Sequence, residues 1–453
     1  MEIYYHGYRG VIANTLMSLG IEPGDKIIIR LNDGTVIKGI LMPRQALYAD
    51  RPIVVIKLDN GYNIGIRFDE IASIELIAKK HVKEYMSTLP MDIKRAELPR
   101  VVLLGTGGTI ASKVDYETGA VTPVLKPSEI IEWIPELGEI AYFDAYEIMN
   151  VFSEDMTPAH WEKISTEVYK NMMNGIDGVV IAHGTDTMAF TAAALAFSIS
   201  NKPVPVVFVG AQRSSDRPSS DAALNLISAF VVAGKAPFAE SVISMHGDIS
   251  DKYIYVHRGV KTRKMHTSRR DAFQSVNDKP IAIVDPITRN IKIIGKIVEY
   301  RDKTKTPILK AKFDEKVAMI KAYPGIQSEI IDTLIDKGFH GIVIEGTGLG
   351  HIANKVIPSI KRAIESEIPV VMTSQCIFGR VNLNVYSTGR YLLEVGVIPA
   401  SDMLSETAFV KLSWILGSIT RNVDEIRELF LKNMVGEINE RHVTSLYPRW
   451  VYE

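Results

Sequence analysis

The sequence predicts an α/β protein, with a small N-terminal β-barrel followed by a two-domain body of parallel sheets. Two observations carry this. Between residues 24 and 77, five short β-branched runs are punctuated by two Asx-Gly turns, the pattern of hairpins in a small barrel. After Leu98, short continuous apolar runs alternate with helix-length segments, as in a parallel sheet covered on both faces.

In the barrel the runs are DKIIIRL, TVIKGILM, PIVVIKL, YNIGIRF and IASIELI, with turns at Asn32 to Gly34 and Asp59 to Gly61. A charged stretch, AKKHVKEYMSTLP then MDIKRAEL, reads as an amphipathic helix or connector and marks a boundary. The body then gives RVVLL, GIDGVVIAH, PVPVVFVG and SVISMHG as strands, separated by helical segments. Residues 278–312 break the alternation and read as hairpin or linker, before a second block of KVAMIKAYPG, GIVIEGTGLGH and IPVVMTSQC. The expected organisation is a barrel at 1–77, a linker at 78–98, α/β domains at 99–295 and 313–435 joined by a connector at 296–312, and a tail at 436–453. The tail, with two tyrosines and a tryptophan, packs either on its own core or on a partner.

The chain has 453 residues, 46% hydrophobic and 23% charged, enough for two or three self-sufficient cores. Lys plus Arg number 52 against 53 Asp plus Glu, so no global field selects a polyanion. The first 85 residues carry 11 basic and 10 acidic side chains, which withholds from the barrel the electrostatic footprint of nucleic-acid binding. One cysteine, Cys376, excludes an internal disulfide framework and paired-cysteine zinc sites; its apolar flank predicts a buried, inert thiol. His6, His183, His257, His266 and His351 lack metal-ligand spacing, so no metal is expected in this chain. No apolar run reaches spanning length and the N-terminus lacks a signal-peptide core, so a cytosolic protein is expected.

Two segments share one form, an apolar strand followed by a glycine-rich turn with threonines and then a helix: VVLLGTGGTIAS, Val101 to Ser112, and VVIAHGTDTMAF, Val179 to Phe190. Such turns lie at the carboxyl ends of parallel strands, where helix N-termini present free N–H groups to a ligand. Each alone is explained as a Thr or Asp cap. Together they supply hydroxyls and a carboxylate that can face one crevice. A threonine hydroxyl is a poor nucleophile without a base or cation beside it, and the basic stretch VKTRKMHTSRR, Val260 to Arg270, offers a lysine for that role.

GTGGTIAS, HGTDTM, SEDM at Ser153 to Met156 and GAQRSSDRPSSDAALNL at Gly210 to Leu226 resemble the bacterial-type L-asparaginase/glutaminase family, over roughly Leu98 to Asn433. The resemblance implies two α/β domains with the active site on the first. It makes Thr109 the nucleophile on a side-chain carboxamide, and Thr185, Asp186 and Lys264 a second catalytic group. In that group Thr185 and Lys264 move the proton, while Asp186 orients Lys264 and grips the substrate's α-amino group. Ser153 and Glu154, with their turn, fall to substrate binding, Ser153 at the α-carboxylate. Backbone N–H groups near the second turn would hold the oxyanion. The family's lid tyrosine has no clear counterpart: Ala120 or Val121 stands there, with Tyr116 nearby.

Free asparaginases lack a barrel at 24–77. A small β-barrel, a linker and an asparaginase-like body together resemble the D-subunit family of archaeal glutamyl-tRNA(Gln) amidotransferases. That resemblance implies a glutaminase chain, a homodimer core in a heterotetramer, whose ammonia passes to an E subunit that binds tRNA and uses ATP and Mg. No cofactor is then expected in this chain. The other readings are a free L-asparaginase with an accessory barrel and a non-catalytic RNA-binding scaffold.

Overall fold

A computed structural model describes residues 4–42, 52–58, 63–79, 98–107, 112–114, 121–123, 130, 134–213 and 220–447. In the N-terminal unit, five antiparallel strands lie in the order Asn63–Arg67, Ile53–Lys57, Val36–Leu41, Lys26–Leu31, Ile71–Ala78. Alternation sets the inner face: Ile27 and Ile29 are fully buried, as are Val54 and Ile56. The register of the last strand shifts on either side of Ile27–Arg30, which bends the sheet around this core. The turn at Asn32 to Gly34 forms, with Thr35 N donating to Asp33 Oδ1 at 2.8 Å. The one at Asp59 to Gly61 lies outside the described residues.

The unit also includes elements before residue 24 that the sequence pattern does not show. A two-residue hairpin, Tyr4–Tyr5 with Tyr8–Arg9, leads into a helix, Gly10–Ser18. Ile12, Ala13 and Leu16 of that helix complete the barrel core, and Tyr8 donates its hydroxyl to Met42 O at 2.7 Å. Elements this short fall below the length at which periodicity is readable.

Among the described residues, eight strands form the large body sheet, in the order Tyr142–Glu147, Arg100–Gly105, Gly178–Ala182, Val206–Val209, Ser241–His246, Ile254–Arg258, Ala282–Asp285, Asn290–Ile293. The first five are parallel and the last three antiparallel. The sheet is therefore mixed, and the 278–312 segment read as hairpin or linker contributes its antiparallel edge. Chain order reverses at Arg100–Gly105, whose neighbours are the second and third strands of the five. That is a topological switch point, where crevices open at strand carboxyl ends.

A second sheet runs parallel through Val317–Lys321, Gly341–Gly346, Val370–Ser374 and Ile398–Pro399. Two helices join the sheets. Met188–Ser198, rich in alanine and buried at every position but Phe190, packs against Ser405–Ser418, with Phe197 stacked on Trp414 at 5.7 Å. Small side chains allow this close approach.

Charges are buried at the same junction. Lys261 Nζ donates to Asp402 Oδ2 at 2.7 Å with both side chains enclosed; burial pulls the lysine below its usual range and Asp402 opposes that pull. Lys411 Nζ meets Glu437 Oε1 at 2.6 Å and the carbonyls of Phe430 and Lys432. Asn439 reaches Asp402 Oδ2 at 2.7 Å and Asn277 O at 2.6 Å. Through residue 447 the tail thus packs on its own chain.

Cys376 corrects the sequence reading: it is exposed. Its strand ends at Ser374, and Cys376 sits on the turn beyond, its N–H bonded to Ser374 Oγ at 3.0 Å. No helix among the described residues is long and apolar enough to cross a membrane.

Candidate active site

The two threonine turns leave adjacent strand ends. Ala182 is paired with Gly105, and Thr106 donates both its N–H and its hydroxyl to Ala182 O at 3.0 Å. The segment after the neighbouring strand is gripped between them. Ile148 N and Val151 N bond to Gly105 O and Thr106 O, at 2.9 and 3.1 Å. Gly107, at φ +112°, lies so close that a β-carbon there would be 2.4 Å from Val151 O. At Gly184 a β-carbon would be 2.8 Å from Ser153 Cβ. Glycine is needed at both places for close approach, and at Gly107 also for its positive φ.

This grip sets Ser153 in the crevice. Its side chain is buried, its hydroxyl is 3.5 Å from Glu154 Oε2, and its carbonyl accepts from Thr187 Oγ1 at 2.5 Å. Thr187 is the residue before helix Met188–Ser198, but its side chain does not cap that helix. The sequence alone makes it a plain first-turn residue and does not reveal this tie between the second turn and Ser153.

Lys264 arrives from a separate two-stranded sheet. It ends the strand Thr262–Lys264, which pairs with Phe273–Ser275. Its Nζ donates to Thr185 Oγ1 at 2.9 Å and to Asp186 Oδ1 at 2.7 Å. The lysine side chain is 14% exposed and the aspartate 65%, so the pair stands at the crevice mouth with the lysine enclosed. Because strand residues alternate, Arg263 points the other way, to Glu406 Oε1 at 3.1 Å in the second unit. Burial raises the Glu406 carboxyl above its usual range, against the pull of Arg263.

Thr185, Asp186 and Lys264 are therefore brought together, with Ser153 on the neighbouring turn and Glu154 beside it. Thr109, Tyr116 and Ala120 lie outside the described residues; Val121 is described only as part of a short strand, Val121–Pro123. Beneath Thr185 lies a loop from the GAQRSSDRPSSDAALNL motif, to which the sequence alone gives no role. A β-carbon on Gly210 would be 2.7 Å from Thr185 Cγ2, so this loop supports the threonine from behind. Asp221 fastens the loop by accepting from Gln212 N and Arg213 N at 3.0 Å, and Asn225 donates to Gly210 O at 3.0 Å. The Asn225 side-chain oxygen also lies 2.7 Å from His246 Nδ1, and burial lowers the His246 ring's proton affinity. The signal was present in the sequence: Asp221 and Asn225 are one helical turn apart at the start of AALNLISAF.

Among the described residues no three His, Cys, Asp or Glu side chains are placed to hold a metal ion. What the arrangement offers is a hydroxyl bridged by a lysine amino group to a carboxylate, the equipment for proton transfer to or from a reacting group.

Comparison with known proteins identifies the families to which the parts of the chain are similar. The family described as "Asparaginase, N-terminal" matches residues 100–298, "Glutaminase/Asparaginase C-terminal domain" matches 316–430, and "GatD N-terminal domain" matches 21–77. The D subunit of the glutamyl-tRNA(Gln) amidotransferase of Thermofilum pendens is 50% identical over 452 residues, covering 98% of this chain and 99% of the relative. The chain belongs to the D-subunit family of glutamyl-tRNA(Gln) amidotransferases. A member from Pyrococcus abyssi is 52% identical over 427 residues, covering 93% of this chain and 96% of its own. Among solved structures, the L-asparaginase of Thermococcus kodakarensis has a TM-score of 0.67 at 33% identity, covering 76% of this chain and all of that one. L-asparaginase I of Vibrio cholerae scores 0.65 at 28% identity, covering 76% and 99%. The body of this family member is thus an asparaginase fold, and its N-terminal β unit is matched by the family-specific domain instead.

Proposed function

We propose that the chain is the glutaminase component of a tRNA-dependent amidotransferase, hydrolysing glutamine through Thr109 and supplying ammonia to a tRNA-binding partner, the E subunit. The observation that carries this is the bridge from Lys264 Nζ to Thr185 Oγ1 and Asp186 Oδ1 at the switch point of an asparaginase fold. The family-specific N-terminal unit favours an amidotransferase component over a free asparaginase.

In this reading Thr109 Oγ attacks the side-chain amide carbon while its proton passes through Thr185 to the Lys264 amine. The C–O bond forms, the carbonyl pair moves onto oxygen, and backbone N–H groups of the second turn hold the oxyanion. Collapse breaks the C–N bond, the proton goes to the departing nitrogen, and ammonia leaves a γ-glutamyl ester on Thr109. Water cleaves the ester to glutamate and restores the threonine. Ser153 binds the α-carboxylate, Glu154 belongs to the same pocket wall, and Asp186 holds both Lys264 and the α-amino group.

The partner binds tRNA and activates its glutamyl group with ATP and Mg, so this chain needs no cofactor. The working assembly is a cytoplasmic heterotetramer around a dimer of this chain. The test is carboxamide hydrolysis by the purified chain, with and without glutamyl-tRNA and the partner. Glutamine should be the substrate, with low activity alone. Vigorous, partner-independent asparagine hydrolysis would establish the free asparaginase instead.

A further inference from the structure

We propose that His183 is a positioning residue for the site, its Nδ1–H holding the Gly184–Thr185 peptide so that the Thr185 N–H faces the crevice as an oxyanion donor. The inference rests on the amidohydrolase reading above. It arises from a contact that no part of that mechanism uses.

His183 ends the buried strand, its own N–H bonded to Val209 O at 3.0 Å, and its ring is almost wholly enclosed against the edge of Phe208. Nδ1 lies 2.6 Å from Gly184 O. A carbonyl can only accept, so Nδ1 carries the proton. Nε2 is buried and has no partner among the described residues, which suits a bare nitrogen better than a second N–H. Burial lowers the ring pKa to about 4, so the ring is neutral at physiological pH and a single tautomer is defined.

The consequence follows from peptide geometry. No cis peptide is present among the described residues, so the Thr185 N–H points opposite to the Gly184 carbonyl that His183 holds. The backbone N–H groups of Gly184, Thr185 and Asp186 have no hydrogen-bond partner among the described residues. They are free to receive charge that develops on a substrate oxygen. A glycine peptide is the easiest in a protein to rotate. Packing of Gly184 on Ser153 restrains its position, and among the described residues the histidine bond is the one that its carbonyl accepts.

The experiment compares His183→Asn with His183→Gln in the full chain with its partner and glutamyl-tRNA. Asn can place an amide N–H near Nδ1, whereas Gln places it near Nε2. Losing one preorganised oxyanion donor costs about 10²–10³ in kcat. His183→Gln should therefore lose about 100-fold in kcat with KM within a few-fold, and His183→Asn should recover most of it. Nitrogen-15 NMR of histidine-labelled wild type should show the His183 proton on Nδ1. Equal turnover by the two variants, or a wild-type proton on Nε2, overturns the proposal; if His183→Gln fails to fold, the wild-type tautomer decides alone. Failure of wild-type protein to hydrolyse any carboxamide would instead sink the functional reading, and the tautomer would still report on the peptide.

Discussion

Gly184 and Ser153 approach so closely that a β-carbon on the glycine would lie 3.0 Å from the serine hydroxyl oxygen. The second threonine turn and Ser153 are thus held in direct contact, alongside the hydrogen bond from Thr187 Oγ1 to Ser153 O. Gly184→Ala should push them apart. We expect a stability loss of about 1–3 kcal/mol, as for other overpacked sites, and a rise in KM for glutamine larger than the fall in kcat. Denaturant titration and steady-state kinetics check the two parts.

Lys264→Met keeps the stem of the side chain and removes its amino group. Ammonia release should fall on the order of a hundredfold or more, the usual worth of general acid–base catalysis, with an unchanged far-UV spectrum. Turnover within a few-fold of wild type would remove Lys264 from proton transfer.

Thr109→Ala should abolish ammonia release altogether while leaving the fold and glutamine binding intact. Mass spectrometry after rapid acid quench should find a γ-glutamyl adduct on Thr109 in the wild-type protein and none in the variant. Substantial turnover by the variant would assign the nucleophile elsewhere.

Breaking the enclosed Lys261–Asp402 pair should be costly, because either single substitution leaves a charge without its counterpart. Asp402→Asn should lower stability by about 3–5 kcal/mol, read from denaturant unfolding. A paired apolar replacement, Lys261→Met with Asp402→Leu, should cost less than the sum of the two single changes.

Acid should destabilise the protein through its enclosed histidines. Burial lowers His183 to about 4 and His257 to about 3, below the unperturbed value of 6.5. As pH falls below 6.5 the unfolded chain gains protons that these rings refuse, so stability falls. The loss continues until the folded rings themselves protonate, near pH 4 and 3. In that window each histidine adds about 1.4 kcal/mol per pH unit to the slope. Melting between pH 7 and 4.5 should be shallower for His257→Gln than for wild type.

How much of this was legible in the sequence depended on distance along the chain. The strand–turn–helix form of GTGGT and HGTDTM predicted two turns that could face one crevice, and Ala182 is indeed paired with Gly105. Lys264 meets Thr185 across 79 residues, a contact no periodicity encodes; only the family resemblance supplied it. Residues 282–293 form the hairpin that was one of the two readings of 278–312, whereas 254–258 were unread as a strand because polar loops flank a short run whose pairing is antiparallel within a parallel-looking pattern. Cys376 was misread because an apolar run was carried two residues past its strand end. His183 is a single letter next to a glycine, and its ring's enclosure depends on Phe208 from the next strand.

The Lys261–Asp402 pair spans 141 residues of chain. It lies three positions before Lys264, whose neighbour Arg263 is held by Glu406. A nascent chain emerging from the ribosome makes Thr185, Asp186 and Lys264 long before it makes either of these anchors. Pairing of Thr262–Lys264 with Phe273–Ser275 can therefore form early, while the contacts of Lys261 and Arg263 to Asp402 and Glu406 wait for some 140 further residues to be made.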